Sequence, residues 1–280
     1  MVFYYLIIFV FGLIAGSFLN CLVYRLETGQ RMTKRSYCPY CRNKLSWQDL
    51  IPVLSFIILK GKCRYCHKKI SLQYPLVELS TGLLFLLIFN FQFPVFNEFS
   101  IVNFQNLINL CFMLCVSCFM IVIFLYDLKH YIIPDKVIYP AIAITFLYQS
   151  FRVLNFGFLS DFSFRTLDFE TWTSSLLAGI IACLFFLTIV VISQGKWMGM
   201  GDVKLAFLMG LFLGFPNILV ALFFAFFIGA IIGIGLIAVK KKTLKSELPF
   251  GPFLVIGTFI ALFWGERIIN WYLGLCSVPF

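Results

Sequence analysis

Two aspartates of this chain stand at the ends of apolar segments. Asp127 closes a long apolar run, and Asp202 follows the flexible segment Gly199-Met200-Gly201 at the start of another. Only twelve acidic residues are present, so an acid at membrane depth indicates a functional site. Two neighbouring aspartates can share one proton, because like charges at short range do not both ionise. One then acts as a general base on water while the other polarises a carbonyl, which is the chemistry of peptide hydrolysis.

Each aspartate is also consistent with a simpler role as a helix cap at the membrane surface. Asp135 fits that role best, because Pro134 starts a helix and an acid stabilises the positive end of that helix. We therefore take Asp127 rather than Asp135 as the partner of Asp202. Gly199 and Gly201 would let a substrate strand approach the backbone closely.

The sequence lacks the residue patterns of other protease classes. It contains no HExxH and no GxSxG motif, and its two histidines, His67 and His130, have no serine or cysteine motif beside them. Metal and serine mechanisms are therefore disfavoured.

Four cysteines form two CxxC pairs, Cys38-Pro39-Tyr40-Cys41 and Cys63-Arg64-Tyr65-Cys66. Two such pairs at this spacing predict a structural zinc site, and the metal would supply folding free energy to a loop too small for its own core. A redox dithiol is the alternative, but the pair is duplicated and no βαβ pattern surrounds it. His67 could replace one ligand, although a solvated histidine is the simpler interpretation.

The rest of the chain is apolar enough to hold these residues in a bilayer. The 280 residues are 61% hydrophobic and 12% charged, with a mean hydropathy of +0.97, which exceeds what a soluble domain buries. We predict an all-α polytopic membrane protein with a zinc-knuckle-like loop, divided into a first helix (1–24), a cysteine-rich loop (25–73) and a transmembrane domain (74–280). Eight helices are predicted near 3–24, 74–93, 104–126, 135–151, 172–193, 203–214, 216–239 and 249–273.

The positive charges predict which loops face the cytoplasm. The loops 25–73, 127–134, 194–202 and 240–248, with the adjoining helix ends, hold 19 of the 22 Lys and Arg residues. The positive-inside rule therefore places these loops in the cytoplasm and both termini outside. The net charge of +10 is thus a topology signal rather than a nucleic-acid-binding patch, and it would secondarily attract anionic lipids.

An ordered series of motifs along most of the chain resembles the bacterial type IV prepilin peptidases. The series comprises Gly12-x3-Gly16-Ser17-Phe18-Leu19-Asn20, Arg25, both CxxC pairs with Asp49-Leu50-Ile51-Pro52-Val53-Leu54-Ser55 between them, Gly61-Lys62, Ile70-Ser71, Tyr74-Pro75, Glu78, Asp127, Ile133-Pro134-Asp135 and Gly199-Met200-Gly201-Asp202-Val203-Lys204.

That resemblance implies a GxGD aspartyl protease of the bacterial inner membrane with Asp127 and Asp202 as its catalytic pair. It implies that prepilin or pseudopilin precursors are cut after a glycine that ends a short basic leader. Many members of the family also N-methylate the new terminus with S-adenosylmethionine, and the Gly-Ser-Phe-Leu-Asn stretch and the cysteine loop are associated with that activity. Gly199, Gly201, Lys204 and Glu78 are expected to shape the substrate site.

Several alternatives stay open at this level. Ser17 and Asn20 could instead hydrogen-bond between helices, and Glu78 could contact a substrate amine or pair with Arg25. A polytopic transporter with proton-relaying aspartates and a zinc knuckle is the second hypothesis for the whole chain, although transporter acids belong near the bilayer midplane. A membrane-anchored thiol oxidoreductase is the third.

Overall fold

The computed structural model describes residues 2–31, 35–93, 104–156, 162–239 and 248–276. In these ranges the secondary structure is helical apart from two isolated bridges, Tyr37 with Lys44 and Lys62 with Lys69. The prediction of an all-α chain is therefore confirmed. The elements are α1 (Val2–Thr28), a 3-10 turn (Trp47–Leu50), α2 (Leu54–Ile58), α3 (Gln73–Gln92), α4 (Phe104–His130), α5 (Asp135–Phe156), α6 (Phe162–Ser193), α7 (Met200–Leu213), α8 (Asn217–Ala238) and α9 (Gly251–Cys276).

Each of the eight predicted spans corresponds to one of the long helices. Six of them, α1, α3, α4, α6, α8 and α9, are long and apolar enough to cross a bilayer. The helix α7 has only 14 residues. The helices α1 and α6 extend beyond the predicted apolar runs. Their backbone hydrogen bonding continues into polar residues, and a search for apolar runs does not detect the helix there. The lysines of the last predicted inside loop, Lys240, Lys241, Lys242 and Lys245, lie outside the described residues.

The break between α7 and α8 falls where the sequence predicts it. Gly214 follows the last residue of α7 with a φ of 67°, and its N–H donates to the carbonyl of Gly210. Glycine adopts this left-handed conformation without a steric penalty. The helix α8 begins three residues later, at Asn217, with Pro216 immediately before it.

The chain divides into two compact units, Met1–Val122 and Ile123–Phe280. In the first unit, α1 packs on α3 through glycines one turn apart. A Cβ at Gly12 would lie 2.7 Å from the Cα of Gly82, and a Cβ at Gly16 would lie 2.8 Å from the Cα of Glu78. The Gly12-x3-Gly16 motif is thus a close-packing surface of the kind that brings membrane helices together.

In the second unit, α6 packs on α7 and α8 packs on α9. The outward side chains of α8 are large and apolar, including Phe223, Phe227, Ile231 and Ile234, all of them exposed. An exposed apolar helix surface of this kind suits contact with lipid chains.

Candidate functional site

Asp127 is a buried carboxylate near the end of α4. Its side chain is 4% exposed, and its Oδ2 accepts a hydrogen bond from the backbone N–H of Gly251 at 3.0 Å. Gly251 is the first residue of α9, where backbone N–H groups lack partners within the helix and attract negative charge. The start of α9 therefore fixes one oxygen of this aspartate.

Asp202 lies in the first turn of α7 and is half-buried. Its carboxylate accepts a hydrogen bond from the backbone N–H of Gly199, and it interacts electrostatically with the charge of Asp127. The structure therefore brings together the two aspartates that the sequence analysis paired.

Ile133 connects the three segments around these aspartates. A Cβ at Gly201 would lie 2.9 Å from the Cβ of Ile133, and a Cβ at Gly251 would lie 3.5 Å from its Cδ1 and 2.7 Å from Oδ2 of Asp127. The connection between α4 and α5, the start of α7 and the start of α9 thus meet around Ile133. This is the arrangement expected of helices that cross a membrane in alternating directions.

The sequence analysis did not identify Gly251. The available signal was Gly251-Pro252 at the start of an apolar run, directly after a lysine-rich loop. Glycine at that point permits the close approach of a carboxylate, and proline suits the first turn of a helix.

Asp135 and Lys204 form an ion pair with Nζ and Oδ1 2.5 Å apart. The Asp135 side chain is 62% exposed, in contrast to that of Asp127. Lys204 also lies over the ring of Tyr139, with Nζ 4.8 Å from the ring centroid. These contacts join α5 to α7 beside the aspartates, and they give Asp135 a structural partner of its own.

The four predicted metal ligands, Cys38, Cys41, Cys63 and Cys66, form one cluster in which all Sγ atoms lie within 4.8 Å of one another. The Sγ atoms of Cys38 and Cys66 are 3.9 Å apart. Four thiolates around one zinc ion at about 2.3 Å place the sulfurs about 3.8 Å apart, so the cluster fits a tetrahedral zinc site. Burial raises the pKa of Cys38, but hydrogen bonds from the backbone of Cys41 and Tyr40 and from neighbouring thiols lower it to about 7. For Cys66 of the same cluster, a hydrogen bond from the backbone of Lys68 lowers the pKa, but burial and the neighbouring thiols outweigh it and raise this pKa to about 11.

The two cysteine pairs have the same backbone turn. The N–H of Arg42 donates to the carbonyl of Cys38, and the N–H of His67 donates to that of Cys63. Arg42 and His67 have φ values of 57° and 55°. His67 is therefore the left-handed turn residue of its pair, and it is exposed, in agreement with the interpretation of a solvated histidine.

Asp49 connects the second cysteine pair to the preceding 3-10 turn. It accepts hydrogen bonds from the backbone N–H and hydroxyl of Ser46 at 3.0 and 2.8 Å. It also forms an ion pair with Nε of Arg64 at 2.9 Å. Burial raises the pKa of Asp49, but the Ser46 hydrogen bonds and the Arg64 charge outweigh it and hold this pKa below its ordinary value. The residues between the second pair of cysteines are thus anchored by a charged hydrogen-bond network.

Glu78 connects three segments of the first unit. It is 7% exposed, its Oε2 accepts the backbone N–H of Val53 at 2.7 Å, and its carboxylate accepts a hydrogen bond from the side chain of Ser17. Asn20 donates to the carbonyl of Tyr74 at 3.2 Å. Ser17 and Asn20 therefore make the interhelical hydrogen bonds considered as an alternative above.

The backbone at Val53 is strained. Its φ is 61° and its ψ is −50°, and the N–H of Leu54 donates to the carbonyl of Pro52. This is a γ-turn of the rare type with positive φ, which is costly for a β-branched residue. Such strain persists only where surrounding contacts hold it, and the Glu78 carboxylate is one of those contacts.

Comparison with known proteins gives matches along nearly the whole chain. The model of the bacterial peptidase A24 N-terminal domain matches residues 10–91, and that of the type IV leader peptidase family matches residues 114–234. A protein of Legionella pneumophila named prepilin leader peptidase/N-methyltransferase is 30% identical, with 97% of this chain and 95% of the relative covered. A protein of the same name from Bacillus subtilis (strain 168) is 31% identical, with coverages of 96% and 98%. No solved structure matches the chain.

Proposed function

Because the chain belongs to the type IV leader peptidase family, we propose that it is a membrane aspartyl endopeptidase with Asp127 and Asp202 as its catalytic pair. Its substrates are prepilin or pseudopilin precursors, and its cut falls after the glycine that ends the basic leader. The observation that carries the proposal is the pairing of a buried Asp127 with Asp202. Asp127 accepts the N–H of Gly251 at the start of α9, and Asp202 accepts that of Gly199, the N-cap of its own helix.

The two carboxyl groups hydrolyse the peptide bond while sharing one proton. The ionised aspartate removes a proton from water as the water oxygen attacks the scissile carbonyl carbon, and the protonated aspartate donates to the carbonyl oxygen. The C–N bond then breaks, and the leaving nitrogen takes a proton from the pair. The backbone donors of Gly199 and Gly251 hold the carboxylates in position without titrating. Gly201 and Lys204 set the shape of this site through Ile133 and Asp135.

The aspartates face the cytoplasmic side of the inner membrane in this proposal, and so does the cysteine-rich loop. The support is the concentration of Lys and Arg in the loops on the same side as these residues. A basic leader attached to a hydrophobic pilin segment would present its cleavage point at this depth. The transporter hypothesis is not favoured, because family membership indicates a peptidase and the two acids lie together at helix ends.

We also assign the second activity in the relatives' names, N-methylation, to this chain. The ion held by Cys38, Cys41, Cys63 and Cys66 is zinc in this proposal, and it stabilises the loop. S-adenosylmethionine would supply an electrophilic methyl group for the new N-terminal amine. In the first compact unit, Glu78 of α3 accepts hydrogen bonds from Ser17 of α1 and from the loop at Val53. It therefore connects the cysteine-rich loop to both helices.

The test is co-expression of the chain with a precursor that carries a basic leader. Mass spectrometry of the product should show a new N-terminus directly after the leader glycine and a mass increase of one methyl group. An unprocessed precursor in cells that accumulate both proteins would overturn the peptidase assignment. A cleaved product without the added mass would contradict the methyltransferase assignment and leave the peptidase assignment intact.

A further inference from the structure

The cysteine-rich loop carries exposed apolar side chains on two short elements that contact each other, α2 and the 3-10 turn before it. Leu54, Ile57 and Ile58 lie on one side of α2, with 57, 63 and 72% of their surfaces exposed. Trp47 and Leu50 of the 3-10 turn are 73 and 44% exposed. We refer to these five side chains as the α2 patch. An exposed group of large apolar side chains of this kind marks a contact with a protein or a membrane.

The opposite side of α2 is turned toward the protein. Ser55, Phe56 and Leu59 line a cavity of the first compact unit. A Cβ at Gly61 would lie 3.0 Å from the ring of Phe56, so this ring packs closely against the chain that follows α2. The α2 patch is therefore the outer side of an element whose inner side is already packed.

The contacts between α1 and α3 show how α3 lies in the bilayer. The two helices run antiparallel, since Gly16 lies against Glu78 and Asn20 donates to the carbonyl of Tyr74. The helix α3 begins at Gln73 and has 20 residues, a length of about 30 Å that matches the hydrocarbon core of a bilayer. Gln73 is then near one membrane surface, and Glu78 lies about 7 Å farther along the helix axis, on the bilayer side.

The loop reaches this depth at Val53, the residue immediately before α2. The N–H of Val53 donates to Oε2 of Glu78 at 2.7 Å, and the side chain of Ser17 donates to the same carboxylate. Ser17 itself lies about 16 Å along α1 from the last residue of that helix, Thr28. The start of α2 is therefore beside the membrane helices rather than beyond their ends. Interfacial amphipathic helices bury their apolar side about 5–10 Å into a leaflet, which is the depth of this contact.

The charges around the α2 patch favour anionic lipid as its partner. Between residues 35 and 72 the chain has eight Lys and Arg residues and one acid, Asp49, which is paired with Arg64. Lys60 and Lys62 come shortly after α2, and both are exposed. Their apolar stems can lie along a membrane surface while the ammonium groups reach lipid phosphates. The same positive charge repels a basic leader peptide, which is therefore a less suitable partner.

From depth and charge together we propose that the α2 patch is inserted into the leaflet on the side of the cysteine-rich loop, which is the cytoplasmic leaflet in the proposed topology. Leu54, Ile57 and Ile58 contact the acyl chains. Trp47 lies at the level of the headgroups, where tryptophan is enriched in membrane proteins, and Lys60 meets anionic headgroups. The cysteine-rich loop is thus held against the membrane surface by lipid contacts as well as by its two flanking helices.

Quenching of tryptophan fluorescence by brominated lipids tests this insertion. The full-length protein is reconstituted in vesicles of phosphatidylethanolamine and phosphatidylglycerol whose acyl chains carry bromine near the headgroup end. Ile57→Trp and Ile58→Trp each place a reporter at an exposed position of α2, where the larger ring does not disturb a packed core. The emission of the unchanged protein, which has five tryptophans, is subtracted.

Lys44→Trp is the matched control within the same loop. Lys44 is exposed and forms a bridge with Tyr37, whose ring contacts Tyr24 of α1. Tyr24 lies about 10 Å farther along α1 than Ser17, in the direction of the water. Brominated lipids should quench the added emission of Ile57→Trp at least about threefold more than that of Lys44→Trp, because interfacial side chains lie within reach of the acyl chains. The water-soluble quencher acrylamide should give the opposite order.

Three results would overturn the insertion. Equal quenching of all three added tryptophans by acrylamide, with no effect of bromine, would place the α2 patch in water. Protection of Ile57→Trp and Ile58→Trp from both quenchers would show that protein covers the patch, either another part of the chain or a second copy. Loss of bromine quenching on addition of a precursor peptide would identify the apolar segment of that peptide as the partner. The readout needs no leader cleavage, so it is independent of the proposed peptidase and methyltransferase activities.

Discussion

The backbone N–H of Gly251 donates a hydrogen bond to Oδ2 of Asp127, although 124 positions separate the two residues. A main-chain donor does not ionise and cannot rotate away, so the position of α9 sets the orientation of this carboxylate. There is no room for a side chain at Gly251, because its Cβ would lie 2.7 Å from the same oxygen.

Replacing Gly251 by alanine should therefore displace the Asp127 carboxylate and lower the rate of leader cleavage. A misplacement of about 1 Å costs on the order of 10²-fold in rate. Purified variants assayed on a precursor peptide measure the effect. Gly235→Ala is the matched control, because a Cβ at Gly235 of α8 would meet nothing within 4 Å. Equal rates for the two variants would show that the close contact at Gly251 is unimportant.

Asp127→Asn and Asp202→Asn should each abolish leader cleavage while the protein still accumulates in the membrane. An amide cannot act as the base or share the proton. Asp135→Asn changes an acid that is exposed and paired with Lys204, so it should retain most activity. Immunoblots for abundance and cleavage assays on membranes give both readouts. Near-normal turnover by either of the first two variants would exclude that residue from catalysis.

The two glycines before Asp202 should differ in their tolerance of alanine. A Cβ at Gly201 would lie 2.9 Å from the Cβ of Ile133, whereas at Gly199 the nearest atom would be 3.9 Å away. Gly201→Ala should therefore reduce leader cleavage several-fold more than Gly199→Ala, since overpacking displaces neighbouring atoms. The comparison needs initial rates at matched protein abundance. The reverse order would contradict the packing around Ile133.

Cys38→Ser should remove most of the zinc that we propose for the four-cysteine cluster, because a structural zinc site needs all four thiolates. We expect abundance or methylation to fall more than leader cleavage, since the cluster belongs to the loop. Metal analysis of the purified protein, with methylation and cleavage measured on one product, tests this. Cys111→Ser is the control, since Cys111 is an exposed thiol outside the cluster. Equal loss of both activities at normal abundance would instead make the cluster part of the protease site.

The local sequence predicted the helices, the clustering of the four cysteines and the two aspartates that the structure places together. Runs of apolar residues define membrane helices because the bilayer leaves backbone polar groups no other partners. The CxxC spacing defines the cluster because four thiolates from two tight turns suit one tetrahedral ion. The preference for Asp127 over Asp135 as the catalytic partner of Asp202 also comes from the chain, since Pro134 marks Asp135 as a helix-start residue, and it stays a prediction.

Only the tertiary structure decided which distant groups meet. Three contacts join segments that lie far apart in sequence. They are the hydrogen bond from Gly251 to Asp127, the contact of Ile133 with Gly201, and the hydrogen bond from the strained turn at Val53 to Glu78. No local pattern encodes such pairings, because they depend on how close-packed helices place their ends. The sequence therefore determined the chemistry that this protein can carry out, and packing determined the geometry in which its groups are held.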